Sequence, residues 1–272
     1  MEPPTYLAKI NSHERDSHIT FDEGPHIYTI DGDSDFMSVT TWNHSHFPHF
    51  DADKIITKME KKDYFNNPSH KYYKKTRDEI KELWKQNGIK ASEAGTKMHY
   101  DIECYYNNCP NENNTIEYKY FLEFKDTVNH LKPYRTEWMI YDKELKFAGS
   151  IDMIFENPDG TLEIYDWKRS KGISKTNAFQ NAITSCISHL PDSNFWHYSL
   201  QLNTYKALLE KNYGKKVNGM YLVCLHPNNL NNWEKEQYDK GKMPGFKKFK
   251  VANLTDEIND LFKLRKEMLG KE

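Results

Sequence analysis

Long apolar runs are missing from this chain. No stretch of its 272 residues approaches the roughly 18 consecutive apolar residues of a membrane-spanning helix, and a mean hydropathy of -0.91 marks a polar protein. Cysteine is scarce. Cys104, Cys109, Cys186 and Cys224 include no C-x-x-C pair, which excludes zinc sites of that spacing, and nothing marks secretion, so the thiols read as reduced. Neither sign of charge dominates, with 38 Lys and Arg against 40 Asp and Glu. The resulting net charge of -2 excludes a nonspecific polycation but permits a local basic groove. There are no internal repeats and no low-complexity linker, which excludes a repeat array. Residues 1–17 mix acids with bases and have no apolar centre, so neither a secretory signal nor an arginine-rich transit peptide is evident. An intracellular location is expected.

What the chain has in quantity is aromatic residues, 14% of the total with 18 tyrosines, enough for a core and for exposed stacking surfaces. A β-rich opening covers residues 1–50. Its expected hairpin runs from 27–30 through the turn Asp31-Gly32-Asp33 to 36–40. His44, His46 and His49 follow; with Pro48 among them and no acid, they read as loop histidines rather than a metal site. A helical elaboration is expected over 51–131. Its helices start at an Asp51 cap and run to about 62, from 72 to 87 with Gly88 as the stop, from about 92 to 106, and from about 117 to 131. A core over 132–225 combines a strand at 135–141, a hairpin, helices at 176–188 and 196–211, and an apolar strand at 217–225. A basic stretch, 242–250, and a helix over 254–269 close the chain within 226–272. This order predicts an α/β fold, a single domain with a central mixed sheet flanked by helices.

The central hairpin organises the rest. Residues 147–155 and 162–168 are rich in β-branched and aromatic side chains and flank the turn-formers Asn157, Pro158, Asp159 and Gly160. Folding about Pro158 and Asp159 sets Asp152 opposite Asp166, within one residue, with Cβ atoms roughly 4.5–5.5 Å apart on one face. Lys168, two positions beyond Asp166, joins that face. Adjacent carboxylates raise one another's pKa unless a cation sits between them. Oxygen ligands of this kind suit Mg2+ or Mn2+, and the lysine would stabilise charge on a phosphoryl oxygen or orient a water. Alone, the hairpin fits a charged, half-exposed surface equally well.

Four further features converge on it. His99 and Glu103 are four apart on one helical face, a spacing that more often marks a satisfied pair than a metal site. Gly95, mid-helix, is costly unless backbone approaches something closely. Glu137 folds beside Ser150 on the face of Asp152, as a third acid. Arg169, Lys171 and Lys175 form a positive run after the acidic strand, most often a solvated loop but suited here to a phosphate backbone. Gln201 and Tyr205 share one face of the following helix and are unremarkable by themselves.

Asp152 and, fourteen positions on, Asp166-Trp167-Lys168 resemble the PD-(D/E)xK nuclease signature. The wider pattern is similar to the RecB-like branch, which includes the mitochondrial genome maintenance exonucleases. In that branch a Gly-x-x-x-His helix precedes the hairpin, matched by Gly95 and His99, and a Gln-x-x-x-Tyr helix follows it, matched by Gln201 and Tyr205. Residues 38–40 and 47–50 are similar to the opening region of such enzymes, and the resemblance spans roughly residues 26 to 225. It implies a restriction-endonuclease-like core in which His99, Asp152, Asp166 and the Trp167 carbonyl hold Mg2+ or Mn2+ and Lys168 is catalytic. Gln201 and Tyr205, with Glu103 and Glu137, would support the site. Ile151 stands where the signature has proline. The clustered late cysteines of iron–sulfur members are absent, so no iron–sulfur cluster is expected.

The implied function is a Mg2+- or Mn2+-dependent deoxyribonuclease acting on single-stranded DNA or DNA with free ends, with an exonuclease preferred. Arg169, Lys171 and Lys175 would contact DNA, and the lysine- and tyrosine-rich helices of 51–131 would wall a channel in which bases stack. An endonuclease of the same fold, a non-catalytic nucleic-acid-binding module and a docking protein are the alternatives. Repair, recombination and viral genome processing all use this chemistry, and the Lys-, Asn- and Tyr-rich composition fits an AT-rich genome such as that of a virus or phage.

Overall fold

A computed structural model describes residues 4–110 and 112–271. His49–Lys97 forms one compact unit, and the described residues on either side of it form the other. Among the described residues no helix is long and apolar enough to cross a membrane.

The larger unit opens with a short helix, α1 (Tyr6–Ile10), and a hairpin of β1 (Ile19–Asp22) and β2 (Ile27–Ile30). The expected hairpin between 27–30 and 36–40 does not form. The turn at Gly24 and Pro25 folds β2 back onto β1, and the later segment becomes a two-residue strand, β3 (Met37–Ser38), leading straight into α2 (Val39–Ser45). Ser38 caps that helix by accepting from Thr41 N–H at 3.1 Å. His44 therefore lies on a helix rather than a loop. His46, which follows, is buried and bonded to Thr184 Oγ1 at 2.8 Å. Burial alone pushes its pKa down to about 4.

The sheet follows the expected meander: β4 (Lys132–Asp142), β5 (Phe147–Glu156) and β6 (Leu162–Lys168) are antiparallel neighbours. The chain then crosses through α6 (Asn194–Asn212) to β7 (Val217–Cys224), parallel to β6, and β8 (Lys247–Lys250) closes the edge after a short helix, α7 (Asn232–Asp239). Helices cover both faces. On one, α2, α6 and α8 (Thr255–Met268) pack through Val39, Trp42, Leu202, Tyr205, Leu208 and Leu261 onto Trp138, Ile151 and Ile164. On the other, α5 (Ile116–Asp126) and the end of α4 (Arg77–Tyr106) pack through Ile102, Phe121 and Phe124 onto Met153, Phe155 and Trp167. The helix expected at 176–188 is largely irregular. Asn177 accepts from the N–H groups of Phe179 and Gln180 at 2.9 and 3.3 Å, a side-chain turn that competes with the helical ladder.

β5 is the strand to watch. One of its edges pairs with β4 at every residue except Asp152. The other is divided: β6 takes Met153–Glu156 and β3 takes Phe147 and Ala148, so among the described residues no strand pairs with that edge from Gly149 to Asp152. Gly149 is needed there, because a Cβ would lie 2.8 Å from the Tyr205 ring.

The smaller unit holds α3 (Ala52–Lys61), capped by Asp51 as expected, and α4 as far as Lys97. Ile56, Tyr72 and Ile80 form its core, and Trp84 Nε1 donates to the Tyr72 hydroxyl at 2.6 Å. The two helices expected on either side of Gly88 are one 30-residue helix. Gly88 keeps a right-handed conformation, and Ala91, Glu93 and Ala94 beyond it favour helix strongly enough to outweigh one glycine. Nothing lies within 4 Å of a Cβ placed at Gly88 or Gly95, so neither marks a close backbone approach. Gly88→Ala is therefore expected to stabilise the protein by about 0.5–1 kcal/mol, read from urea unfolding. A loss of stability would mean that α4 breaks at Gly88. Gly149→Ala should instead destabilise by about 1–3 kcal/mol through overpacking against Tyr205, seen as a lower urea midpoint.

Candidate active site

The β5–β6 ladder ends at the pair Met153–Tyr165, and the same register carried one step further sets Asp152 against Asp166, as the hairpin pattern predicts. Backbone pairing stops there because the strands part. β6 continues with β7 as far as Lys168–Cys224, whereas β5 stays with β4. In the gap, Asp152 Oδ2 accepts the Trp167 N–H at 2.9 Å, replacing the lost strand partner with a carboxylate. The apolar alternation of β5 also slips by one here. Phe147, Ile151 and Ile154 face one core while Met153 and Phe155 face the other. On β4, Glu137 holds φ +41, a strained conformation for a residue with a side chain, of the kind concentrated at functional sites.

These distortions gather side chains from α4, β4, β5, β6 and α6. From α4, His99 Nδ1 lies 3.5 Å from Asp152 Oδ2 and 3.6 Å from Glu137 Oε1. His99 Nε2 is 3.0 Å from the Trp167 carbonyl. A carbonyl only accepts, so this contact fixes the proton on Nε2 and aims Nδ1 at the two acids. Glu137 is in turn oriented by Ser150 Oγ, which donates to Oε2 at 2.8 Å, although the residue directly opposite Ser150 is Met139. Lys168 Nζ lies 2.6 Å from Asp166 Oδ2 and 4.4 Å from the centre of the Tyr198 ring, which is contributed by α6.

The charges explain one another. Burial alone would lower the pKa of His99, but the charges of Asp152 and Glu137 overcome it and raise it to about 9. Burial, then the charge of Asp166, raises Asp152. Burial and the charge of Glu137 push Glu103 up to about 7. Lys168 is also raised, because Asp166 and Asp152 outweigh its burial, and so it stays an ammonium.

His99, Glu137 and Asp152 each offer a ligand atom within 4.8 Å of the others. One imidazole and two carboxylates form a donor set that fits a divalent cation such as Mn2+ or Mg2+. Glu137, a supporting residue in the sequence reading, thus sits inside the compact triplet. Asp166, read there as a ligand, lies outside it and against Lys168. The Trp167 carbonyl is engaged in orienting His99. Gln201 Nε2 and the Tyr205 hydroxyl are 3.3 Å apart on α6, with the Tyr205 ring on Gly149.

Of the basic run, Arg169 has its Nε on Glu117 at 2.8 Å, while Lys171 and Lys175 lie on the irregular loop that follows. Sequence reasoning missed Tyr198 and Tyr28. Tyr198 falls on the helical stripe of Gln201 and Tyr205, a spacing that could have found it. Tyr28, on β2, is buried where the charges of Glu137 and Asp152 add to the upward shift that burial imposes on its hydroxyl. No sequence signal pointed to it.

A cation entering this triplet must displace the Nδ1 proton of His99, held up to a pKa of about 9. Below that pH the proton competes, so affinity for Mn2+ should rise as pH increases from 6 to 9 and level off above. Titration calorimetry in buffers of different ionisation enthalpy should register protons released near pH 7. A pH-independent affinity with no proton release would exclude His99 as a ligand.

No curated protein matches this sequence. Among solved structures, "Crystal structure of SSO0001" aligns over 98% of this chain and 85% of that one, at 13% identity and a TM-score of 0.33, a likeness too distant to bear on fold or function. The family model described as the PD-(D/E)XK nuclease superfamily matches residues 70–269, an interval that includes α4 from its start, the parted strands β5 and β6, and α6. By that match, and with Asp152, Asp166 and Lys168 gathered where the two strands separate, the chain belongs to the PD-(D/E)XK nuclease superfamily.

Proposed function

We propose that this nuclease is a Mg2+- or Mn2+-dependent deoxyribonuclease of the RecB-like branch that degrades single-stranded DNA from a free end. The observation that carries the reading is the cluster of His99, Glu137 and Asp152 beside the Lys168–Asp166 pair, at the unpaired edge of β5. Its residues all belong to the larger unit, and we take the whole chain as one nuclease domain in which His49–Lys97 is a helical elaboration.

His99, Asp152 and Asp166, with Glu137, would hold the cation. When bound, the cation supplies positive charge against the scissile phosphate and brings hydrolysis within reach near neutral pH. Lys168 is kept protonated, which suits it to donate to a phosphoryl oxygen as charge develops and not to act as a base. Asp166 and the face of Tyr198 hold its ammonium in place. Gln201 and Tyr205 position the β5 edge from behind.

The single-strand preference is supported by the loop that follows Lys168. It is anchored to the start of α6, where Trp196 Nε1 donates to the Lys175 carbonyl at 2.9 Å and Asn194 Nδ2 to the Gly172 carbonyl at 2.8 Å. On it Lys171 and Lys175 offer phosphate contacts, and Phe179, 93% exposed, offers a ring on which a base can stack.

The test is digestion of labelled linear single-stranded, circular single-stranded and duplex DNA with Mg2+ or Mn2+. The linear single strand should be degraded and the circle spared. Asp166→Asn and Lys168→Ala should each lower kcat by about 100-fold or more, and Phe179→Ala should raise KM by roughly 10-fold with kcat retained. Cutting of the circle at the same rate would make the enzyme an endonuclease, and no cutting of any substrate would leave a binding module.

A further inference from the structure

The end of α4 carries a feature that hydrolysis does not use. Beyond the last helical turn, Asn108 takes the left-handed conformation at φ +61, and the Cys109 N–H bonds back to the Cys104 carbonyl at 3.0 Å. A left-handed residue followed by a six-to-one hydrogen bond is the Schellman ending of a helix, in which the first and last side chains meet. Here both positions are cysteine. Cys109 Sγ also donates to the Cys104 carbonyl at 3.4 Å.

Distance and exposure both favour covalent closure. Standard backbone bond lengths, added to that hydrogen bond, hold the two Cα atoms no more than about 7 Å apart, and disulfides close at about 4.4–6.8 Å. Cys104 is 2% exposed, whereas Cys109 is open to solvent. An accessible thiol held by its backbone beside a shielded one is the arrangement in which a sulfenic acid is resolved before further oxidation. Burial also holds the Cys104 thiol above its usual range, which leaves Cys109 as the thiol that meets an oxidant first.

We propose that Cys104 and Cys109 form a reversible oxidation site that closes to a disulfide under a hydroperoxide. The Cys109 thiolate attacks one oxygen of hydrogen peroxide, breaking the O–O bond, and the departing hydroxide takes up a proton as water. The Cys104 sulfur then gives up its proton and displaces the hydroxyl of the Cys109 sulfenic acid as a second water, forming the S–S bond. Two thiols lose two hydrogens and one peroxide becomes two waters.

The test treats the full chain with hydrogen peroxide, alkylates it under denaturing conditions and maps the peptides by mass. Two of the 4 cysteines should escape alkylation, in one bridged peptide lighter by two hydrogens, and dithiothreitol should restore both. In Cys104→Ser, Cys109 should instead gain oxygen atoms at the same dose. In Cys109→Ser, Cys104 should remain alkylatable. The proposal is overturned if wild-type Cys109 gains oxygen while Cys104 stays free, or if Cys109 bridges to Cys186, Cys224 or a second copy of the chain. The wild-type map decides even where a variant fails to fold.

Discussion

Everything at this site depends on one interruption in hydrogen bonding. A buried strand normally satisfies its peptide groups on both edges, but among the described residues β5 from Gly149 to Asp152 has no strand partner on the edge away from β4. The missing neighbour is replaced by side chains. The Asp152 carboxylate takes the Trp167 N–H, and the Tyr205 ring lies against Gly149 where a Cβ would otherwise be. The room left by the parted strands is where His99 and Lys168 enter. A perfectly paired hairpin would have had the same acids in the same register and no space between them.

The second constraint is electrostatic. Asp152, Asp166 and Glu137 bring three acids together, and His99 and Lys168 are the cations that face them. Each cation is raised by the acids it neutralises, and Asp152 is raised by burial and by Asp166. Such a cluster stores unfavourable desolvation and repulsion, a burden that a divalent cation relieves more completely than one imidazolium does. The strained φ of Glu137 fits the same picture, since it lets a β4 side chain reach both His99 and Ser150 from a strand that otherwise faces the core.

Much of this was legible in the sequence. The meander and the crossover to β7 were readable because alternation and turn residues agree along 132–168, and the Asp152–Asp166 register follows from counting about Pro158. The elements that sequence misplaced are those where local signals compete. Gly88 reads as a stop but is outweighed by its helix-forming neighbours. The segment 36–40 has strand composition but gives up most of it to a Ser38 cap. Residues 176–188 have helical spacing, yet the Asn177 side chain takes the backbone N–H groups. Within the site, Glu137 and Asp166 exchanged emphasis, because a positive φ on β4 and an ion pair to Lys168 are tertiary outcomes with no sequence pattern. Tyr28 was invisible for the same reason: only the fold brings β2 near the acids.

The measurement that bears most directly on this account is anomalous diffraction at the manganese absorption edge from crystals of the protein soaked in Mn2+. The account predicts a peak bounded by His99 Nδ1, Glu137 and Asp152, with the His99 Nε2 contact to the Trp167 carbonyl retained. A peak elsewhere on the chain, or none at saturating Mn2+, would contradict it.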